Sequence, residues 1–200
     1  MKMKKLISTT ILLFAMIFAF AQNPNLIKES NKIHWYGLDF TKAKMIGSMG
    51  FTNPYVVCDR YIKEKWNAAI FREHEKYNIS KFTGSKEVKQ HYNFILEQNS
   101  TVTSENLVIN DDYEIDQEIV QGIINEYPTD DGLGLVFIIE SFNKFNDSAN
   151  IWITFFDTNS KKILKTKKYS GRAGGFSVLN FWLGGVYDVC KQLRKDYKRW

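Results

Sequence analysis

Gly134-Leu-Val-Phe-Ile-Ile-Glu-Ser-Phe142 is too apolar to carry a solvated face, which predicts a central strand buried on both sides. Asn143–Asn150 follows as a run of turn formers and suits a hairpin loop. A second strand is expected over Asn150–Asp157, and Thr158-Asn159-Ser160 marks a tighter turn. A third, more polar strand is expected over Ile163–Tyr169. Gly171–Gly175 then breaks the sheet and launches a helix from about Ser177 to Arg199. Leu179, Trp182, Leu183, Val186, Val189, Cys190, Leu193 and Tyr197 form one stripe, as in a helix lying on a sheet. Lys191, Arg194, Lys195, Lys198 and Arg199 crowd its last turns, where cations suit the helix dipole.

Met1–Ala21 has three lysines, an apolar run and Ala19-Phe20-Ala21, the order of a secretory signal peptide with an A-x-A cleavage site. The chain is therefore expected to be exported to the periplasm or beyond, with no membrane span after cleavage. Residues 22–31 read as a linker and 32–200 as one domain. Removing three signal lysines lowers the formal charge from +5 to +2, which argues against nucleic-acid binding. The charge is unevenly placed. Lys161–Trp200 has 11 Lys/Arg against 2 acids, and Gln22–Ser160 has 13 against 20. Mutual neutralisation across the fold is the expected use of that asymmetry, and a binding face the alternative.

Lys32–Phe40 reads as the first strand. Ile33, Trp35 and Gly37 should share one face, and His34, Tyr36, Leu38 and Phe40 the other. Thr41–Asn53 reads as a loop. Asn53-Pro54 starts a helix to about Glu75, with Tyr55, Cys58, Ile62, Trp66, Ala69 and Ile70 inward. Tyr77–Lys86 is a connector. Alternation favours a strand from about Val88 to Glu97, with a helix the other reading. Asn99–Asp112 reads as a loop with an apolar patch at Leu107–Ile109. Ile115–Glu126 reads as a helix with Ile115, Ile119, Val120, Ile123 and Ile124 inward. The expected fold is α/β (α+β): one domain, a mixed sheet of about five strands with three helices, in the order β-α-β-α-β-β-β-α.

Lys32–Gly47, Gly132–Asn143 and the run from Gly171 through Gly-Gly-Phe and Asn-Phe-Trp to Tyr187 resemble a family of uncharacterised secreted proteins of Bacteroidota. That resemblance implies export and fold, and brings no assigned activity. The element order is also similar to the α/β domains of envelope proteins, namely the amino-terminal domain of the Tol-Pal translocation protein and curli-secretion lipoproteins.

Motifs name no reaction. His34, His74 and His91 lack metal-binding spacing, and there is no C-x-x-C, P-loop or G-x-S-x-G. Asp111, Asp112, Asp130 and Asp131 do not make a calcium loop. No catalytic, cofactor or metal residues are therefore expected. Asp39, at the end of the first strand, reads as a turn-capping carboxylate rather than a ligand group. Arg172, Gly174, Gly175 and Ser177 are the candidate contact for an anion or partner, since a helix start offers free N–H groups. A turn in which glycine only permits the backbone path is the preferred reading of the same residues. Gly184 and Gly185, inside the helix, suggest close approach of another backbone. Cys58 and Cys190 are a possible disulfide in an exported chain, although packed free thiols are the favoured state.

Two functions stay open. The first is a non-enzymatic envelope module that binds another envelope protein, a glycan or an anionic surface. The alternative is a small periplasmic hydrolase with a site near Asp39 and the Gly171–Ser177 turn.

Overall fold

The computed structural model describes residues 26–199. The segment 1–21, read as a signal peptide, lies outside them. Leu26–Glu29, within the expected linker, forms one helical turn, with Ile27 buried and its carbonyl accepting the Tyr197 hydroxyl at 2.6 Å.

The sheet is built on β5 (Leu133–Asn143). β1 (Lys32–Asp39) lies parallel against its first half, and β2 (Lys44–Ile46) lies parallel against its second half on the same edge. β3 (Glu87–Gln90) extends the sheet beyond β1, and β4 (Val108–Ile109) extends it beyond β2, both parallel. On the other edge of β5, β6 (Ser148–Asp157) and β7 (Ile163–Arg172) continue as an antiparallel meander. The result is a single mixed α/β domain with seven strands arranged in five columns. The expected count of about five missed that two columns are each made of two successive strands, β1 with β2 and β3 with β4. β2 and β4 fall inside segments read as loops, because two or three residues are too few to show a period.

Helices cover both faces. The closing helix, Ser177–Tyr197, and the helix spanning 54–72 pack on one face. The helix Gln117–Asn125 packs on the other with Tyr36, Tyr127, Val136, Ile138 and Phe156. Trp182 stacks on Phe142 at 4.9 Å between ring centroids and anchors the closing helix over the carboxy-terminal end of β5. Between Val57 and Lys65 the 54–72 helix runs in wide i→i+5 turns. That geometry keeps Cys58, Ile62 and Trp66, spaced by four, on one buried stripe, which Ile70 continues in the α-helical turns that follow, while Tyr55 in the first turn is exposed. Ile119, also expected inward, sits at the margin of its helix and is partly exposed.

Two expected elements are redrawn. Residues 87–98 hold both readings in succession: β3 ends at Gln90 and a helix, Tyr92–Ser100, begins two residues later. A short helix, Ile79–Thr83, occupies the expected connector, capped by the Asn78 side chain.

The face pattern of β1 also changes partway. Pairing with β5 shifts register between Trp35 and Leu38, and Gly37 sits there at φ 86°. This bulge turns the strand over. Leu38 and Phe40 therefore join Ile33 and Trp35 in the larger core. Asp39 instead follows His34 and Tyr36 toward the smaller one, where Tyr127 meets it. The Asn67 amide oxygen would lie 2.5 Å from a Cβ at Gly37, so glycine also admits that side chain.

Candidate functional site

The turn nominated from sequence is tightly used by the fold. β7 runs on to Arg172, past the expected break at Gly171. The Arg172 main-chain N–H donates to the Asp188 carboxylate at 3.3 Å, a neighbour that does not favour an anion. The Gly174 N–H donates to the Phe181 carbonyl at 2.9 Å and is not free for a ligand. Gly175 has φ 137°, and Ser177, at φ 71°, accepts the Asn180 N–H at 3.4 Å. The approach foreseen from Gly184 and Gly185 is internal. A Cβ at Gly184 would stand 2.2 Å from the Gly174 carbonyl oxygen, and one at Gly171 would stand 2.1 Å from that of Gly185.

Asp39 is buried and accepts three hydrogen bonds: from Thr41 N–H at 2.9 Å, Thr41 Oγ1 at 2.6 Å and Tyr127 Oη at 2.7 Å. Burial raises its pKa against the pull of those donors. It caps the turn that ends β1. It also lies on the sheet face opposite Gly171, which packs under the closing helix, and three strand steps away (about 14 Å by strand spacing). The two halves of the hydrolase reading do not meet in one site.

Cys58 and Cys190 are both free and buried. Cys58 Sγ donates to the Val102 carbonyl at 3.2 Å, and burial pushes both thiols up in pKa.

Part of the basic carboxy-terminal region meets in one cleft. β7 and the last turns of the closing helix border a cleft of about 420 Å³, lined by Lys167, Lys168, Lys195 and Arg199 with Tyr169 and Asp196. Lys168 reaches the acidic part of the chain at Glu114 and at buried Glu140. Lys167 and Lys191 pair with the region's own two acids, Asp196 and Asp188.

The structure also brings together residues that sequence kept apart. His34 is fully buried on β1, His91 directly follows β3, and Asp130 precedes β5. Parallel pairing of Trp35 with Gln90 and of His34 with Gly134 collects all three at one end of the sheet. His34 Nδ1 stands 3.0 Å from His91 Nε2 and 3.3 Å from Asp130 Oδ2. The rings lie edge to edge, with centroids 5.1 Å apart and planes 23° from parallel. Lys89 Nζ bonds Asp130 Oδ2 at 2.6 Å, and the Asp131 N–H bonds Oδ1 at 2.8 Å. These donors, Lys89 first, hold the Asp130 carboxyl at about 2. Burial, with His34 and Lys89 nearby, lowers His91 to about 4, and burial lowers His34 as well. Two buried polar atoms beside the cluster, His34 Nε2 and Tyr36 Oη, have no hydrogen-bond partner. The spacing from 34 to 91 to 130 carries no motif, so only strand order could reveal the cluster.

No protein-family model, curated protein or solved structure matches the chain. Among the described residues no helix is long and apolar enough to cross a membrane.

Proposed function

We propose that this chain is an exported, non-enzymatic binding protein of the cell envelope, and that it engages an anionic surface through the face shared by β7 and the closing helix. The reading is carried by the excess of cations on that face. The 11 Lys/Arg of 161–200 meet only Asp188 and Asp196 within their own region. Lys195 and Arg199 line the β7 cleft, where their fields add, beside Lys167 and Lys168, which are paired with Asp196 and with Glu114 and Glu140. Export rests on the charged, apolar and A-x-A order of Met1–Ala21.

The test is co-sedimentation of mature protein with vesicles of neutral lipid, with vesicles containing anionic lipid, and retention on an immobilised polyanionic glycan. Binding to at least one anionic probe is expected. It should weaken at ~1 M salt, where charges are screened beyond about 3 Å, and be lost in Lys195→Glu/Lys198→Glu. Equal binding to neutral vesicles, or none to any anionic probe, sinks the reading. Intact mass of protein from the native envelope checks export separately: the chain should begin at Gln22.

A further inference from the structure

We propose that His34 Nδ1, His91 Nε2 and a carboxylate oxygen of Asp130 bind one divalent first-row transition metal ion, with zinc the best fit to the donor set. The three ligand atoms lie within 4.8 Å of one another. A tetrahedral zinc with bonds of about 2.0–2.1 Å needs neighbouring donors about 3.3 Å apart. The two measured edges from His34 Nδ1 are 3.0 and 3.3 Å. Two imidazoles and one carboxylate suit zinc, nickel, copper or iron rather than magnesium or calcium, which take oxygen shells. Three protein ligands leave a coordination position open to water or to a further ligand.

The second observation is His34 itself. It is fully buried, and its Nε2 has no partner. Neutral imidazole carries one proton. With Nδ1 facing Asp130, that proton belongs on Nδ1, and Nε2 is left as a buried, unused acceptor. A metal on Nδ1 moves the proton to Nε2. The Asp131 main chain favours the protonated His34 ring, which places a main-chain acceptor beside it. Ligating histidines commonly hold their second nitrogen in this way. The metal-bound ring thus presents Nε2 as a donor in place of an unused acceptor.

Lys89 is the competing group, because its ammonium already neutralises Asp130. It is about half exposed, and Asp130 about one-third exposed, so the lysine can swing into water as an ion enters. Removing its charge should tighten metal binding.

Equilibrium dialysis of Zn²⁺ alone against tag-free, EDTA-treated full chain provides the test. One equivalent should bind, and excess Mg²⁺ or Ca²⁺ should not displace it. His91→Ala should weaken binding by more than about 100-fold, beyond what loss of an outer-shell partner costs. His74→Ala, remote from the cluster, should leave it unchanged. Lys89→Met should tighten it roughly threefold or more through lost charge repulsion. Circular dichroism establishes that His91→Ala is folded; if it is not, Lys89→Met decides. Absence of saturable binding, binding unchanged in His91→Ala, or weaker binding in Lys89→Met overturns the proposal.

Discussion

Asn67 takes the place of a neighbouring strand at Leu38: its Oδ1 accepts the Leu38 N–H at 2.8 Å and its Nδ2 donates to the Leu38 carbonyl at 2.8 Å. The need arises because β3 ends at the level of Trp35, whereas β1 runs on to Asp39. Asn99 completes the repair. It accepts the Phe40 N–H at 2.8 Å and also donates to the Leu38 carbonyl, at 2.9 Å. Both asparagines are fully buried, and both come from helices that flank the gap in the outer column.

Each asparagine therefore accepts one main-chain N–H, while the Leu38 carbonyl is shared. Asn67→Leu and Asn99→Leu should each destabilise by about 1–3 kcal/mol, the cost of one buried orphan donor. The double variant also orphans the carbonyl, so its loss should exceed the sum of the singles. Urea denaturation of the four proteins measures this. Strict additivity would show that the two amides do not share the Leu38 oxygen.

The glycines near the closing helix should separate by position. Gly171→Ala and Gly184→Ala would drive a Cβ to 2.1 and 2.2 Å from carbonyl oxygens, and backbone cannot yield as a flexible side chain can. Each should cost about 1–3 kcal/mol or more as overpacking. Gly174→Ala meets nothing within 4 Å and should be neutral or slightly stabilising. Arg172→Ala, at an exposed strand end, should shift stability by at most about 0.5 kcal/mol. Thermal melts rank the four. A Gly174→Ala loss as large as that of Gly184→Ala would contradict the packing described.

The cysteines should be silent until the chain unfolds. Both are free and buried, and burial raises both thiols, which removes reactive thiolate. A thiol reagent at neutral pH should label neither in the native protein and both in denaturant without reductant. Two thiols missing after unfolding would mean that a bridge forms.

Acid should weaken the metal-free protein through His91. Its folded pKa is about 4, below the ordinary 6.5 of an exposed histidine. Between those values the unfolded chain binds the extra proton, so stability rises with pH. The contribution is whole above about pH 6.5 and is lost as pH falls toward 4. His91→Gln should flatten that part of the profile of unfolding free energy against pH. An unchanged slope would place the titrating group elsewhere.

Much of the fold was legible because long elements repeat their signal. The eleven residues of β5 are apolar enough to read as a two-sided strand, and the closing helix displays its stripe over 21 residues. The meander and its turns followed from local composition alone. Local chemistry also marked Asn53 as a helix cap and Asp39 as a turn cap, since those bonds span two or three residues.

What depended on neighbours far along the chain was not legible. The bulge at Gly37 reverses the faces of β1, and nothing in an alternating pattern announces one inserted residue. β2 exists because β5 offers an unpaired edge and β4 because β2 then does, not because two or three residues prefer to be extended. Asn67 and Asn99 look like ordinary polar helix residues until the gap beside β1 is seen. His34, His91 and Asp130 share no spacing and meet because parallel pairing sets the end of β3 beside the starts of β1 and β5. Sequence determined the strong strands, the amphipathic helices and the basic carboxy-terminal region. Only the tertiary structure decided which strand edges were satisfied, which faces the side chains took and which titratable groups became neighbours, because those are set by hydrogen-bond pairing between segments distant in sequence.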